Sequence, residues 1–188
     1  MSTTILRDDL FFGEGPRWHE GRLWYSDFYD HAVHAIDLSG NDERIVEVES
    51  QPSGLGWLPD GDLLVTSMLD RKLMRWNGSE LTTHADLGAH FTWHANDLLV
   101  DQQGRAYIGN FGFDFEVFLD EQGIEGLFAD PDSLTTVMCR VDPDGTINIA
   151  SDGLIFPNGM VITPDGKTMI VAETLALRLT AFDIAADG

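Results

Sequence analysis

PSGLGWLPDGDLLVTSM, residues 52–68, reads as two short β-strands joined by a tight Asp60-Gly61 turn. Asp-Gly between apolar runs favours a hairpin, because glycine accepts positive φ at no steric cost. Three other segments share this plan: GEGPRWHEGRLWYSDF (13–28), HANDLLVDQQGRAYIGNF (94–111) and PNGMVITPDGKTMIVAET (157–174). Their turns are Glu20-Gly21, Gln103-Gly104 and Asp165-Gly166, and Gly15, Gly54, Asp97 and Gly159 fall in register. The separations are 39, 43 and 62 residues. The first two match a β-propeller blade of roughly 40–45 residues, and the third is a blade carrying an insertion.

Around each segment the pattern predicts further strands. The first unit has them near 15–19, 22–28, 31–38 and 44–49, and the second repeats the set through Asp86. The third supplies 97–101, 105–111, 136–142 and 146–150, and the fourth 159–163, 168–174 and 177–184. The expected fold class is all-β: a β-propeller of four-stranded blades, with the chain covering roughly the first four. The expected organisation is one domain over 1–188, ending within its fourth blade, with an insertion at 112–135. That insertion is open to two readings, a lid over the channel or a packed surface excursion. A propeller closes its ring to protect its strand edges. The chain is therefore expected not to close a ring alone, the remaining blades coming from beyond Gly188 or from another chain. A four-bladed or other β-domain complete at Gly188 is the alternative.

The chain has 188 residues, 32 acidic and 11 basic, for a formal net charge of −21, and its only lysines are Lys72 and Lys167. Such a field repels nucleic acid and anionic membranes and attracts cations. Cys139 is the only cysteine, so no internal disulfide is possible. Residues 1–15 contain no apolar run resembling a secretory leader, and no stretch is long and apolar enough to span a bilayer. The cytoplasm is the expected location.

Register turns the repeat into a site. Glu14, Ser53, Asn96 and Asn158 each precede the aligned position, and equivalent residues of successive inner strands converge on the central channel. One carboxylate with amide carbonyl oxygens is a hard, oxygen-only donor set, suited to Ca²⁺ or a similar divalent ion completed by water. Hydration of a water-filled channel is the alternative role. Trp18 and Trp57, also in register, are expected to pack between blades. His90 and His94 lack the glutamate of a zinc-protease helix, Asp142-Pro143-Asp144-Gly145 and Asn77-Gly78 suit turns, and Cys139 suits the core.

GEGPRW (13–18), HAND (94–97), YIGNFGFD (107–114) and FPNGMVITPDGKTMIVAET (156–174) closely resemble the SMP-30/gluconolactonase/luciferin-regenerating family, and the likeness spans essentially the whole chain. The resemblance implies a six-bladed propeller that hydrolyses a small lactone or ester with a divalent cation. Ca²⁺ is favoured, with Zn²⁺, Mn²⁺ or Mg²⁺ as alternatives. It implies Glu14 and Asn158 as metal ligands. A third ligand, an aspartate that also acts as catalytic acid/base, is expected beyond Gly188. Asn96 is carried over as a substrate contact or as part of the metal shell. His94 stands where the family usually has arginine. It is shorter, offers at most two donors and titrates near neutral pH. Facing the channel mouth with Asn96 by strand alternation, it implies a smaller or less hydroxylated substrate and a change of activity between about pH 5 and 8. A non-catalytic propeller binding Ca²⁺ or a small molecule, and an organophosphate-cleaving esterase on the same site, are the competing functions.

Overall fold

A computed structural model describes residues 3–188; Met1 and Ser2, which open the segment read for a leader, lie outside the described residues. Four antiparallel sheets follow one another along the chain, each with its strands in sequence order. The first holds β1 (Gly13–His19), β2 (Arg22–Asp27), β3 (Ala32–Ile36) and β4 (Asp42–Glu47). The second holds β5 (Pro52–Trp57), β6 (Leu63–Ser67), β7 (Lys72–Trp76) and β8 (Leu81–Asp86). The third holds β9 (Ala95–Val100), β10 (Ala106–Asn110), β11 (Thr136–Val141) and β12 (Ile147–Leu154). The fourth is three-stranded: β13 (Pro157–Ile162), β14 (Thr168–Glu173) and β15 (Arg178–Asp183).

The sheets stack face to face, which explains why the second strands are apolar on both sides. In β6, Leu63 and Val65 join Trp24, Val33 and Leu55 against the first sheet, while Leu64 joins Leu98 and Cys139 against the third. Tyr107, Met138, Met160 and Val171 fill the third seam. Cys139 is fully buried, and burial pushes its thiol up to about 12, so it is an inert part of the core.

The inner strands pack in chain order, β1 on β5, β5 on β9 and β9 on β13. Their backbones approach too closely for side chains. A Cβ on Gly54 would sit 2.1 Å from Leu98 N, and one on Gly15 would sit 2.6 Å from Ser53 O. Gly15 and Gly54 are therefore contacts between blades.

Each inner strand also bulges at the same level. Residues 53 and 54 lie opposite a single residue of β6, and 96–97 and 158–159 are placed likewise; in β1 the shift comes at 15–16. A bulge breaks the ladder and re-aims its side chains. It thus turns Ser53, Asn96 and Asn158 out of regular alternation, whereas Glu14 stays paired with Ser26.

Two features add to the expectations. The 112–135 insertion, read without a helix, forms α1 (Phe115–Ala129) and a 3₁₀ turn over Pro131–Leu134. Its aromatics and acids carry no clean helical period, and Gly123 at φ 66° breaks the helix midway. Asp114 caps it, accepting from Val117 N at 3.0 Å. Leu127 and Leu134 pack with Phe115, Phe118, Ile155 and Leu175, tying the insertion to the fourth sheet. Trp18, expected between blades, is 58% exposed. Trp57 does pack there, 5.3 Å from the Trp24 ring. Trp18 pairs with Leu23 on the corresponding face of the first sheet. Residues 4–7 and 10 line that face instead of another sheet, around a cavity of about 400 Å³.

His84 on β8 yields a pH prediction. Its Nε2 is buried with no partner. Burial lowers its proton affinity, ahead of a backbone bond at Asp142 that raises it. The unfolded chain takes up this proton near pH 6.5 and the folded one only lower. Stability is thus kept above that value and lost as pH falls through the folded pKa. Urea midpoints at pH 7.5 and 5 should fall further in the native protein than in His84→Gln; equal falls would remove His84 from the account.

Candidate functional site

Strand pairing makes the polar register explicit. Gly13 pairs Asp27, Pro52 pairs Ser67, Ala95 pairs Asn110 and Pro157 pairs Glu173. The next residues, Glu14, Ser53, Asn96 and Asn158, are therefore equivalent. Three of them are joined. Asn96 donates to the Asn158 side-chain oxygen at 3.3 Å, and Ser53 Oγ donates to Asn96 Oδ1 at 3.4 Å. Thr174, not singled out from sequence, accepts from Asn158 Nδ2 at 3.0 Å.

Glu14 is not bonded to either asparagine. Its carboxylate accepts from the adjacent Gly15 N at 3.2 Å and, among the described residues, is in no ion pair. Burial raises its pKa first; the Gly15 N–H lowers it, the Asp97 charge raises it and Arg17 lowers it. A half-buried carboxylate without a paired cation, on the level of two amides held by 3.3–3.4 Å bonds, fits a hard divalent ion. Among the described residues no three His, Cys, Asp or Glu cluster as a metal site, so a nitrogen or sulfur set is not offered.

Beside this level lies a pair missed from sequence. Arg17 of β1 reaches Asp97 of β9, donating to Oδ1 at 2.9 Å and to the Leu98 carbonyl at 2.6 Å. Burial raises the Asp97 pKa, against Arg17 and the Leu98 N–H, which lower it. Asp97 is the one non-glycine at its place in the four repeats, and that anomaly was the available signal. With one carboxylate oxygen held by Arg17, it is a tie between inner strands.

Above the polar level a collar forms. Phe12, Gln51, His94 and Phe156 each precede an inner strand. Their carbonyls accept from Phe28 N, Met68 N, Phe111 N and Thr174 N at 3.0, 2.9, 3.0 and 3.1 Å. His94 thus lies just outside β9, and alternation along the strand does not govern it. Its ring stacks on Trp93 at 4.8 Å and meets Phe111 edge-on at 5.9 Å. Phe111 lies 4.5 Å from Phe156. Burial lowers the His94 pKa, against Asp114 and Glu116, which raise it; those two residues bring the start of α1 to the mouth. Its charge change therefore falls below the ordinary histidine range.

Comparison with known proteins bears on the family and the fold. The family model described as SMP-30/Gluconolactonase/LRE-like region matches residues 12–188. The pentonolactonase XacC of Haloferax volcanii is 26% identical over 180 residues, covering 93% of this chain and 54% of its own length. A gluconolactonase from Xanthomonas campestris superposes with a TM-score of 0.73 at 22% identity, over 96% of this chain and 61% of that one. Regucalcin from Agrobacterium tumefaciens, titled a calcium-binding protein, gives 0.71 at 21% identity, over 97% and 57%. The chain spans about half the length of this curated relative. No helix among the described residues is long and apolar enough to cross a membrane.

Proposed function

The chain belongs to the SMP-30/Gluconolactonase/LRE-like family, and from that premise we propose that it serves metal-dependent hydrolysis of a small lactone. The observation that supports the proposal is the bonded Asn96–Asn158 pair, with Glu14 at the equivalent register position of the first inner strand. Glu14 and Asn158 hold a divalent cation, with Ca²⁺ favoured over Zn²⁺, Mn²⁺ and Mg²⁺ by the all-oxygen donors. Asn96 orients the substrate or completes the metal shell. When bound, the cation polarises the ester carbonyl and stabilises the developing oxyanion. The carboxylate that activates water belongs to a further blade, since Asp97 is engaged by Arg17. The names of the lactonase relatives support the reaction class, and the exposed Trp18, Val161 and Leu179 support further blades on either side. The segment 112–135 borders the mouth and serves as its lid.

A panel of glucono-δ-lactone, δ-valerolactone and a phosphotriester, each with Ca²⁺, Zn²⁺ and Mn²⁺, tests this reading. Turnover of a lactone is the expected outcome. Turnover of the phosphotriester alone would favour the organophosphatase, and metal binding without turnover a binding propeller.

His94 sets part of the specificity. An arginine at the collar would offer a fixed fork of donors to sugar hydroxyls. His94→Arg should raise kcat/KM for glucono-δ-lactone relative to δ-valerolactone by about tenfold, the worth of one charged hydrogen bond. If the two substrates do not move relative to each other, His94 is only a packed histidine.

A further inference from the structure

We propose that the half-buried aromatic wall Trp93–His94–Phe111–Phe156 takes the C–H face of the substrate ring, making the site selective for cyclic over open-chain esters. The inference rests on the lactonase reading and adds how the substrate is held.

The wall is continuous. Ring centroids step from Trp93 to His94 at 4.8 Å, to Phe111 at 5.9 Å and to Phe156 at 4.5 Å. It adjoins the amide pair along the chain: His94 and Phe156 each precede an asparagine of that pair by two residues. All four side chains remain partly open, unlike the sealed aromatics of the inter-blade seams such as Trp24 and Tyr107.

Backbone geometry does not demand an aromatic here. Phe156 has φ 54° before a proline, and Gln51, its counterpart in the second blade, has φ 65° before Pro52. The same left-handed turn thus carries a polar side chain in one blade and a phenyl ring in another. Such a conformation favours small or amide side chains. Beyond its contact with Phe111, the Phe156 side chain remains partly open, leaving surface for a ligand.

An aromatic face receives a flat, rigid body at little entropic cost, while a flexible chain loses rotamer freedom against the same surface. A lactone ring presents such a face with its carbonyl at the edge. Laid on Phe111 and Phe156, it directs that edge down toward Asn96 and Asn158. An open-chain ester of the same length presents no ring face.

The test compares δ-valerolactone with methyl pentanoate in the metal-loaded protein, together with binding of the unreactive analogue δ-valerolactam followed by tryptophan fluorescence. Phe156→Ala should raise KM for the lactone about 2- to 10-fold, the range for one aromatic contact, with kcat unchanged. It should leave methyl pentanoate unaffected and weaken the lactam to the same extent. Phe156→Leu keeps apolar bulk without the ring and should behave likewise, while Phe156→Tyr should restore the native values. Equal changes for both esters, or an unmoved KM for the lactone, would overturn the proposal. If neither ester is hydrolysed, the lactonase reading fails, and the lactam alone decides the wall: binding weakened by Phe156→Leu upholds it, and binding that is absent or unmoved overturns it.

Discussion

Glu14→Gln should cost the protein its divalent cation while making the metal-free protein more stable. Gln keeps the shape of Glu but removes the single carboxylate from the proposed donor set. Even outer-shell changes cost metal sites about 10–100-fold in affinity, so losing this ligand should cost about a hundredfold or more. Asn158→Ala should weaken binding as well. The stability change has the opposite sign. Burial raises the Glu14 pKa in the fold. The folded state is therefore favoured while Glu14 is protonated, and that advantage is lost as pH rises through the folded value. At pH 7 the carboxylate opposes folding, and glutamine relieves it. Calorimetric titration with Ca²⁺, Zn²⁺ and Mn²⁺, paired with melting in chelator, measures both. Unchanged affinity in both variants would contradict a shared site.

Gly54→Ala should be the most damaging methyl group that can be added to the inner strands. The new Cβ would meet Leu98 N at 2.1 Å and Asp97 Cα at 2.8 Å, and both are backbone atoms that no side-chain rotation can clear. β5 and β9 would have to part, loosening the strand that carries Asn96. The cost is expected at the upper end of overpacking, about 3 kcal/mol or more. Gly159 is the same position in the fourth blade and has nothing within 4 Å of a Cβ. In the 188-residue chain alone, Gly159→Ala should therefore change stability by under about 0.5 kcal/mol. Urea midpoints of the two variants give the comparison; similar losses would mean that inter-blade approach is not what Gly54 serves.

This pair of glycines also marks how far the sequence could be read. The repeat was legible because turn residues and apolar runs recur in step, and the strands fall within a few residues of where that recurrence puts them. The equivalence of Glu14, Ser53, Asn96 and Asn158 was legible for the same reason. The bulges were not, since two residues facing one is a property of the partner strand. Trp18 lies on the face that register gives it, but whether a blade packs on that face is not a local property of the sequence. The α1 helix escaped because Gly123 divides it and tertiary packing of Phe115, Phe118 and Leu127 holds it, with no amphipathic period to announce it. The Arg17–Asp97 tie joins residues 80 apart through the curvature of the ring, which no local pattern encodes. The collar came into view only when one backbone bond was seen to recur in four blades.

Lactone hydrolysis followed by acid release, first in a divalent-metal chelator and then with Ca²⁺ restored, tests the central claim most directly. The account expects turnover to stop in chelator and to return with the cation in the native protein, but not in Glu14→Gln. Full turnover of the lactone in chelator, or restoration in Glu14→Gln equal to the native protein, would contradict it.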